Sequence, residues 1–210
     1  MDGAERGRRA VPGFQAGTIT AMERIADYDI DPLFLRRWSP RAMSGEPVSE
    51  ADLMRLFEAA RWAPSSGNSQ PWRMVYARAG TKHFERLFSL LVDGNKSWCV
   101  RAGALIVVLS KTSFDSGQPT RTHSYDTGAA WVSLALQASL MGLVAHGMAG
   151  FDYDRARTEL GVPDEYAVEA MIALGHPGKV EDLPERLRAR ESPSGRRPAG
   201  ESVFEGMFRQ

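Results

Sequence analysis

Several things are scarce in this chain, and each scarcity closes a class of function. One cysteine, Cys99, in 210 residues leaves no intrachain disulfide and no cysteine-based metal cluster, a usage that suits a reducing compartment. The four histidines, His83, His123, His146 and His176, show no HxxxH or HExxH spacing, so no protein metal site is expected. Net charge is absent too: 26 basic residues cancel 26 acidic ones. Bulk electrostatics therefore supply no pull toward nucleic acid or an anionic membrane surface, and any anion site has to be local. No run approaches the ~18 consecutive apolar residues that span a bilayer. Residues 1–20, with Arg and Gly but no continuous apolar stretch, do not read as a secretory signal. The expectation is a cytoplasmic protein without nucleic-acid or membrane partners. Motifs are missing as well. Without GxGxxG opening a βα unit, or GxxxxGK[ST], neither a Rossmann-held dinucleotide nor a P-loop is expected. Without GxSxG, Ser65 and Ser66 do not read as acyl-transfer nucleophiles.

What is present is an ordinary globular composition, 43% apolar and 25% charged, enough for one domain with arms. Residues 1–20 read as a flexible arm, or as sequence ahead of a folded part that begins at Met22. The body covers 21–183, and 184–210 form a C-terminal arm. That arm has five basic residues between Arg186 and Arg197 and little apolar content before VFEGMF. Such an ending wastes apolar surface unless it docks on the body or on a second subunit.

Helices and strands alternate through the body. A first helix is expected from about Thr20 to Phe34. SEADLMRLFEAARWA starts at a Ser49 cap with Glu50 and Asp52 in its first turn, and its apolar face holds Leu53, Leu56, Phe57 and Ala60. WRMVYAR reads as a strand, HFERLFSLLV as a helix, and ALIVVLS as a strand buried on both faces. DTGAAWVSLALQASLMG is small or apolar nearly all round and predicts a buried central helix. A short helix, DYDRARTELG, and a strand, YAVEAMIALG, complete the body.

Two stretches carry chemistry. In RRWSPR, Pro40 pushes Ser39 toward an extended conformation, where Arg37, Ser39 and Arg41 at spacing two share a face. Two guanidinium forks and a hydroxyl match a phosphate monoester; the same arginines also suit a solvated helix end. In APSSGNSQPW, Ser, Asn and Gln stand between two prolines. Side-chain amides present donor and acceptor together and can read the edge of a flat heterocycle, while Asx-type turns that satisfy the loop's own backbone are the commoner use.

These two stretches, followed by DGNKSWCVRAGALIVV, DTGAAWVSLALQASLMGL with HGMAGFD, LGHPG and SGRRPAGESVFEG, resemble the FMN-dependent nitroreductase family in order and spacing from about Ile30 to the C-terminus. The resemblance implies an α+β fold with a central, mostly antiparallel sheet flanked by helices. It also implies an interlocked homodimer whose C-terminal arms embrace the neighbour, with two FMN molecules at the interface. Carried over by position, Arg37 and Ser39, with Trp38 between them, hold the phosphate, and Arg41 lies toward the ribityl chain and pyrimidine edge. Pro64, Ser65, Ser66, Asn68 and Gln70 reach a flavin bound mainly by the other subunit. Asn95 falls at the pyrimidine edge, Ala149 and Gly150 near flavin N5, and Arg196 and Arg197 near the phosphate. Two departures stand out: Trp98 occupies a position that is basic in some members, and Ala149 one that is acidic.

The implied activity is transfer of a hydride from NADH or NADPH through FMN to a nitroaromatic, quinone or similar small-molecule acceptor. Because no separate nicotinamide motif exists, a ping-pong scheme is expected, with no catalytic side chain; His146 and Tyr125 read as core or loop residues. An ene-reductase, a dehydrogenase or oxidase of the same family, and a flavin-binding protein without a productive acceptor stay open as alternatives.

Overall fold

The computed structural model describes residues 24–208. The expected arm at 1–20, and the start of the helix expected from Thr20, lie outside the described residues. The chain builds an α+β fold on a four-stranded sheet: β1 (Trp72–Arg78), β2 (Ala104–Lys111), β3 (Val144–Met148) and β4 (Tyr166–Gly175), in the order β1-β2-β4-β3. Every pairing is antiparallel, with Trp72 opposite Ser110 and Ile106 opposite Ile172.

Seven α-helices, α1 (Pro32–Arg36), α2 (Glu50–Arg61), α3 (Lys82–Ser89), α4 (Asp93–Cys99), α5 (His123–Leu140), α6 (Tyr153–Glu159) and α7 (Glu185–Arg188), and three single-turn 3-10 helices, at Ser66–Asn68, Val180–Asp182 and Ala199–Glu201, accompany the sheet in the described residues. The sheet is covered on both faces, and the period of two divides β2 between them. Ile106 and Val108 pack with Leu53 and Leu56 of α2 and Leu134 of α5. Leu105, Val107 and Leu109 pack with Leu87 of α3, Trp98 of α4 and Ala156 of α6. That sandwiching is why ALIVVLS carries no polar alternation.

Three departures from the sequence reading have physical causes. The first helix spans only Pro32–Arg36, with Asp31 accepting from Leu33 N. Pro32 belongs at a helix start, and it holds Asp31 extended (ψ 132°), so no helix runs through this point from upstream. Helix α4, in DGNKSWC, went unexpected because Gly94 and Asn95 are poor helix formers and its cap, Val92, has no side-chain acceptor; burial of Trp98 and Cys99 holds it instead. Helix α5 is buried along one face only. Ala130, Leu134 and Ala138 are covered, whereas Tyr125, Val132 and Leu140 are exposed in the single chain.

Candidate functional site

The segment after α1 leaves the helical region at Arg37 (ψ 122°), and the proline at position 40 disfavours a return to it at Ser39. Arg37, Ser39 and Arg41 line one cavity of about 320 Å³, and Arg37 Nη1 donates to Ser39 Oγ at 3.4 Å. Opposite them the C-terminal segment contributes Arg190, Ser192, Ser194 and Arg196, while Arg24 and His146 complete the wall with Trp38. Five guanidinium groups and three hydroxyls therefore converge, drawn from both ends of the chain.

Glu191 welds these two ends together. Its side chain is buried, and Oε1 accepts from Arg41 N at 2.6 Å and Ala42 N at 2.7 Å. Its Oε2 has no hydrogen-bond partner and faces Arg41 Nη1 at 3.8 Å. One carboxylate against five guanidinium groups leaves the cavity strongly positive. Burial first, and then Arg196, hold Arg24 and Arg37 below the ordinary arginine value. Arg24 is committed to the backbone, donating to the carbonyls of Leu35, Arg37 and Ser194. Both members of the neighbouring pair are exposed in the single chain, but Arg196 lines the cavity and Arg197 does not.

His146, on β3, donates from Nδ1 to Pro40 O at 3.1 Å and packs against the Trp98 ring at 4.8 Å. Burial pushes its pKa down, so the ring is neutral at pH 7 with its proton on Nδ1. Trp98 in turn donates to Asn95 Oδ1 at 3.3 Å, and Asn95 Nδ2 donates to Gly150 O at 3.0 Å. The structure thus brings Asn95 and Gly150 together; a Cβ on residue 150 would meet Asn95 Nδ2 at 2.6 Å. The aromatic ring at position 98 orients the amide rather than supplying charge. Ala149, beside them, is exposed.

The amide-rich loop lies elsewhere in the single chain, and none of residues 64–70 lines the arginine cavity. Gly67, Asn68 and Gln70 all have positive φ, at 56°, 53° and 46°, a strained run for two residues with a Cβ. The loop partly satisfies itself, Gln70 N donating to Ser65 Oγ. It is also anchored from outside: Asp126 of α5, itself buried, accepts from Ser66 N at 3.1 Å and from Thr122 Oγ1 at 2.9 Å. Pro64 and Asn68 remain exposed.

Sequence reasoning missed Arg24, Arg190, Glu191 and Asp126. The basic run of the C-terminal segment was a usable signal for Arg190; nothing local marks a lone glutamate as a backbone acceptor. It also missed a cluster of Ser110, His123, Ser124 and Glu169. There Ser110 Oγ is 2.8 Å from His123 Nδ1 and donates to Glu169. That single hydroxyl proton goes to the carboxylate, so His123 is the donor to serine and not its base. Ser110 is fully buried, and the cluster is no hydrolytic triad. Among the described residues no three His, Cys, Asp or Glu side chains converge as a metal site, and no helix is long and apolar enough to cross a membrane.

Comparison with known proteins agrees with this geometry. The family model of the nitroreductase family matches residues 35–97, which include the arginine segment, the amide-rich loop and Asn95. An uncharacterised 15.4 kDa protein of Mycolicibacterium smegmatis is 40% identical over 136 residues, covering 63% of this chain and 88% of that one. A Thermus thermophilus protein named NADH dehydrogenase is 29% identical over 182 residues, covering 69% and 85%. A solved structure described as an oxidoreductase containing FMN is 44% identical, with a TM-score of 0.86 over 89% of this chain and 96% of that one. With its antiparallel sheet, its matched segments and a neighbour this similar along nearly its whole length, the chain belongs to the nitroreductase family and is an oxidoreductase.

Proposed function

We propose that the chain is an FMN-dependent, NAD(P)H-oxidising reductase of nitroaromatic, quinone or similar acceptors, working as a cytoplasmic homodimer. The observation that carries the reading is the cavity in which five arginines and three serines meet. A phosphate monoester fits that donor set, because guanidinium forks supply charge-assisted bidentate bonds and hydroxyls fill the remaining acceptor directions. Arg37, Ser39 and Arg196 are the assigned phosphate ligands, Ser39 being hydrogen-bonded to Arg37, and Arg41 is assigned to the ribityl chain and pyrimidine edge. Arg24 instead holds the backbone that carries them. FMN, when bound, supplies the two-electron carrier that takes a hydride from the nicotinamide and hands it to the acceptor.

The remaining assignments concern this chain's own groups. Asn95, fixed by Trp98 and Gly150, still has one N–H and one lone pair with which to meet a heterocycle edge. The main chain at Ala149 and Gly150 adjoins it. Residues 64–70, distant from the chain's own arginine cavity, serve the cavity of a second copy. No side chain is assigned to acid-base catalysis, and donor and acceptor use one open face in turn, which predicts ping-pong kinetics.

The purified chain should be yellow and should release FMN, not FAD, on heating. Replacing both Arg37 and Arg41 with Ala should weaken FMN binding by roughly 2–5 kcal/mol, each charge-assisted contact contributing about 1.5–3 with some overlap. Unchanged affinity in the double variant, measured by flavin fluorescence, overturns the assignment.

A further inference from the structure

We propose that His146 takes up a proton when a phosphate-bearing ligand enters the arginine cavity, adding an ionic contact that the ligand-free protein lacks. The inference rests on the reading of that cavity as a phosphate site, and it assigns a role to a wall residue which hydride transfer leaves idle. The geometry comes first. Nδ1 lies 3.1 Å from the carbonyl oxygen of Pro40, and a carbonyl only accepts, so Nδ1 keeps its proton in either charge state and Nε2 is the nitrogen that titrates. The Trp98 ring, 4.8 Å away, holds the imidazole in place. The ring is a wall of the cavity itself.

Charge then decides the state. Arg37 and Arg41 face the cavity from the segment after α1, Arg190 and Arg196 from the C-terminal segment, and Arg24 from the upstream side. The opposing charge at this wall is Glu191, already engaged by the backbone N–H groups of Arg41 and Ala42. Helix α4 presents Trp98 to the ring while its two charged residues, Asp93 and Lys96, pair with each other at 3.7 Å, and β3 places the uncharged Ala145 and Gly147 on either side of His146. Burial and Arg41 disfavour imidazolium, while the carbonyls of Pro40 and Ser39 favour it. The ring is therefore neutral in the ligand-free protein. A phosphate dianion among the guanidinium groups offsets much of the positive potential at the imidazole, adds an acceptor charge beside it, and draws the proton in.

This fixes the sign of the linkage. Since the bound-state pKa exceeds the free-state one, the extra affinity is complete below the free-state value and is lost as pH rises through the bound-state value. Each unit of difference is about tenfold in Kd.

The test uses the full chain stripped of flavin, with FMN and riboflavin as probes. Titration calorimetry at pH 7.5, in two buffers of different ionisation enthalpy, counts protons where the second phosphate ionisation, pKa about 6, is already complete. Wild type should take up a measurable fraction of a proton per FMN and none per riboflavin. His146→Gln, which keeps a donor for Pro40, should take up none, and its FMN Kd should lose the rise of about tenfold expected for wild type between pH 6.5 and 8.5. FMN binding without proton uptake in wild type overturns the role of His146 and leaves the phosphate site standing, as does equal uptake in the variant. Riboflavin binding as tightly as FMN removes the phosphate site, and the proposal with it.

Discussion

Glu191 is the residue whose removal should be felt first. A buried carboxylate that accepts two backbone N–H groups and faces a guanidinium leaves all three without a partner when truncated. Glu191→Ala should cost about 2–5 kcal/mol of stability, read as a lower urea midpoint at unchanged slope. Glu191→Gln retains a carbonyl oxygen for the two N–H groups and should lose less than half of that. Equal losses in the two variants would mean that the charge facing Arg41 matters and the backbone acceptor does not. At this scale the sequence was legible in an uneven way. Arg37, Ser39 and Arg41 stood out because their alternate spacing around a proline that keeps Ser39 extended is a local signal. Glu191 did not, because its importance comes from atoms 149 and 150 positions away in the chain.

Among the elements, the strands and α2 read most clearly from sequence. Their signals are local: a Ser49 side chain capping Asp52 N, and an uninterrupted apolar run where both faces of β2 are covered. Helix α4 was illegible because tertiary burial of Trp98 overrides the poor propensity of Gly94 and Asn95. The loop at 64–70 lies between these cases. Its prolines and amides were conspicuous, yet its anchor, Asp126, is contributed by α5. Asp126→Ala should release Ser66 N and Thr122 Oγ1, at a cost of roughly 1–3 kcal/mol. Hydrogen exchange should accelerate at Ser66 and Asn68 while β2 keeps its protection. Acceleration spread evenly over the sheet would show that Asp126 supports the core and not the loop.

For the whole molecule, the C-terminal segment divides in two. Leu187 and Glu191 are buried against their own chain, whereas Val203, Met207 and Phe208 are exposed. Tyr125, Val132 and Leu140 leave a second apolar surface open along α5. A homodimer that covers both makes a specific pair of predictions. A chain ending at Arg197 keeps Glu191 and Arg196; it should retain the arginine cavity while its dimer weakens at least tenfold by light scattering across a dilution series. A chain ending at Arg190 loses both residues and should fail in dimerisation and FMN retention together, because a ligand that bridges two chains stabilises the assembly by mass action. An undiminished dimer in the chain ending at Arg197 would assign the exposed apolar tail to something other than the partner.

The weld between residues 41 and 191 has a last consequence, in the order of events during synthesis. A contact spanning 150 positions is among the slowest kinds to form, since loop closure must precede any gain from it. Arg37 and Arg41 emerge from the ribosome well before Arg190, Glu191 and Arg196. The sheet, complete at Gly175, can form before them. The arginine cavity is thus assembled last, on a scaffold already folded, and a nascent chain stalled before position 190 has the sheet without the completed cavity.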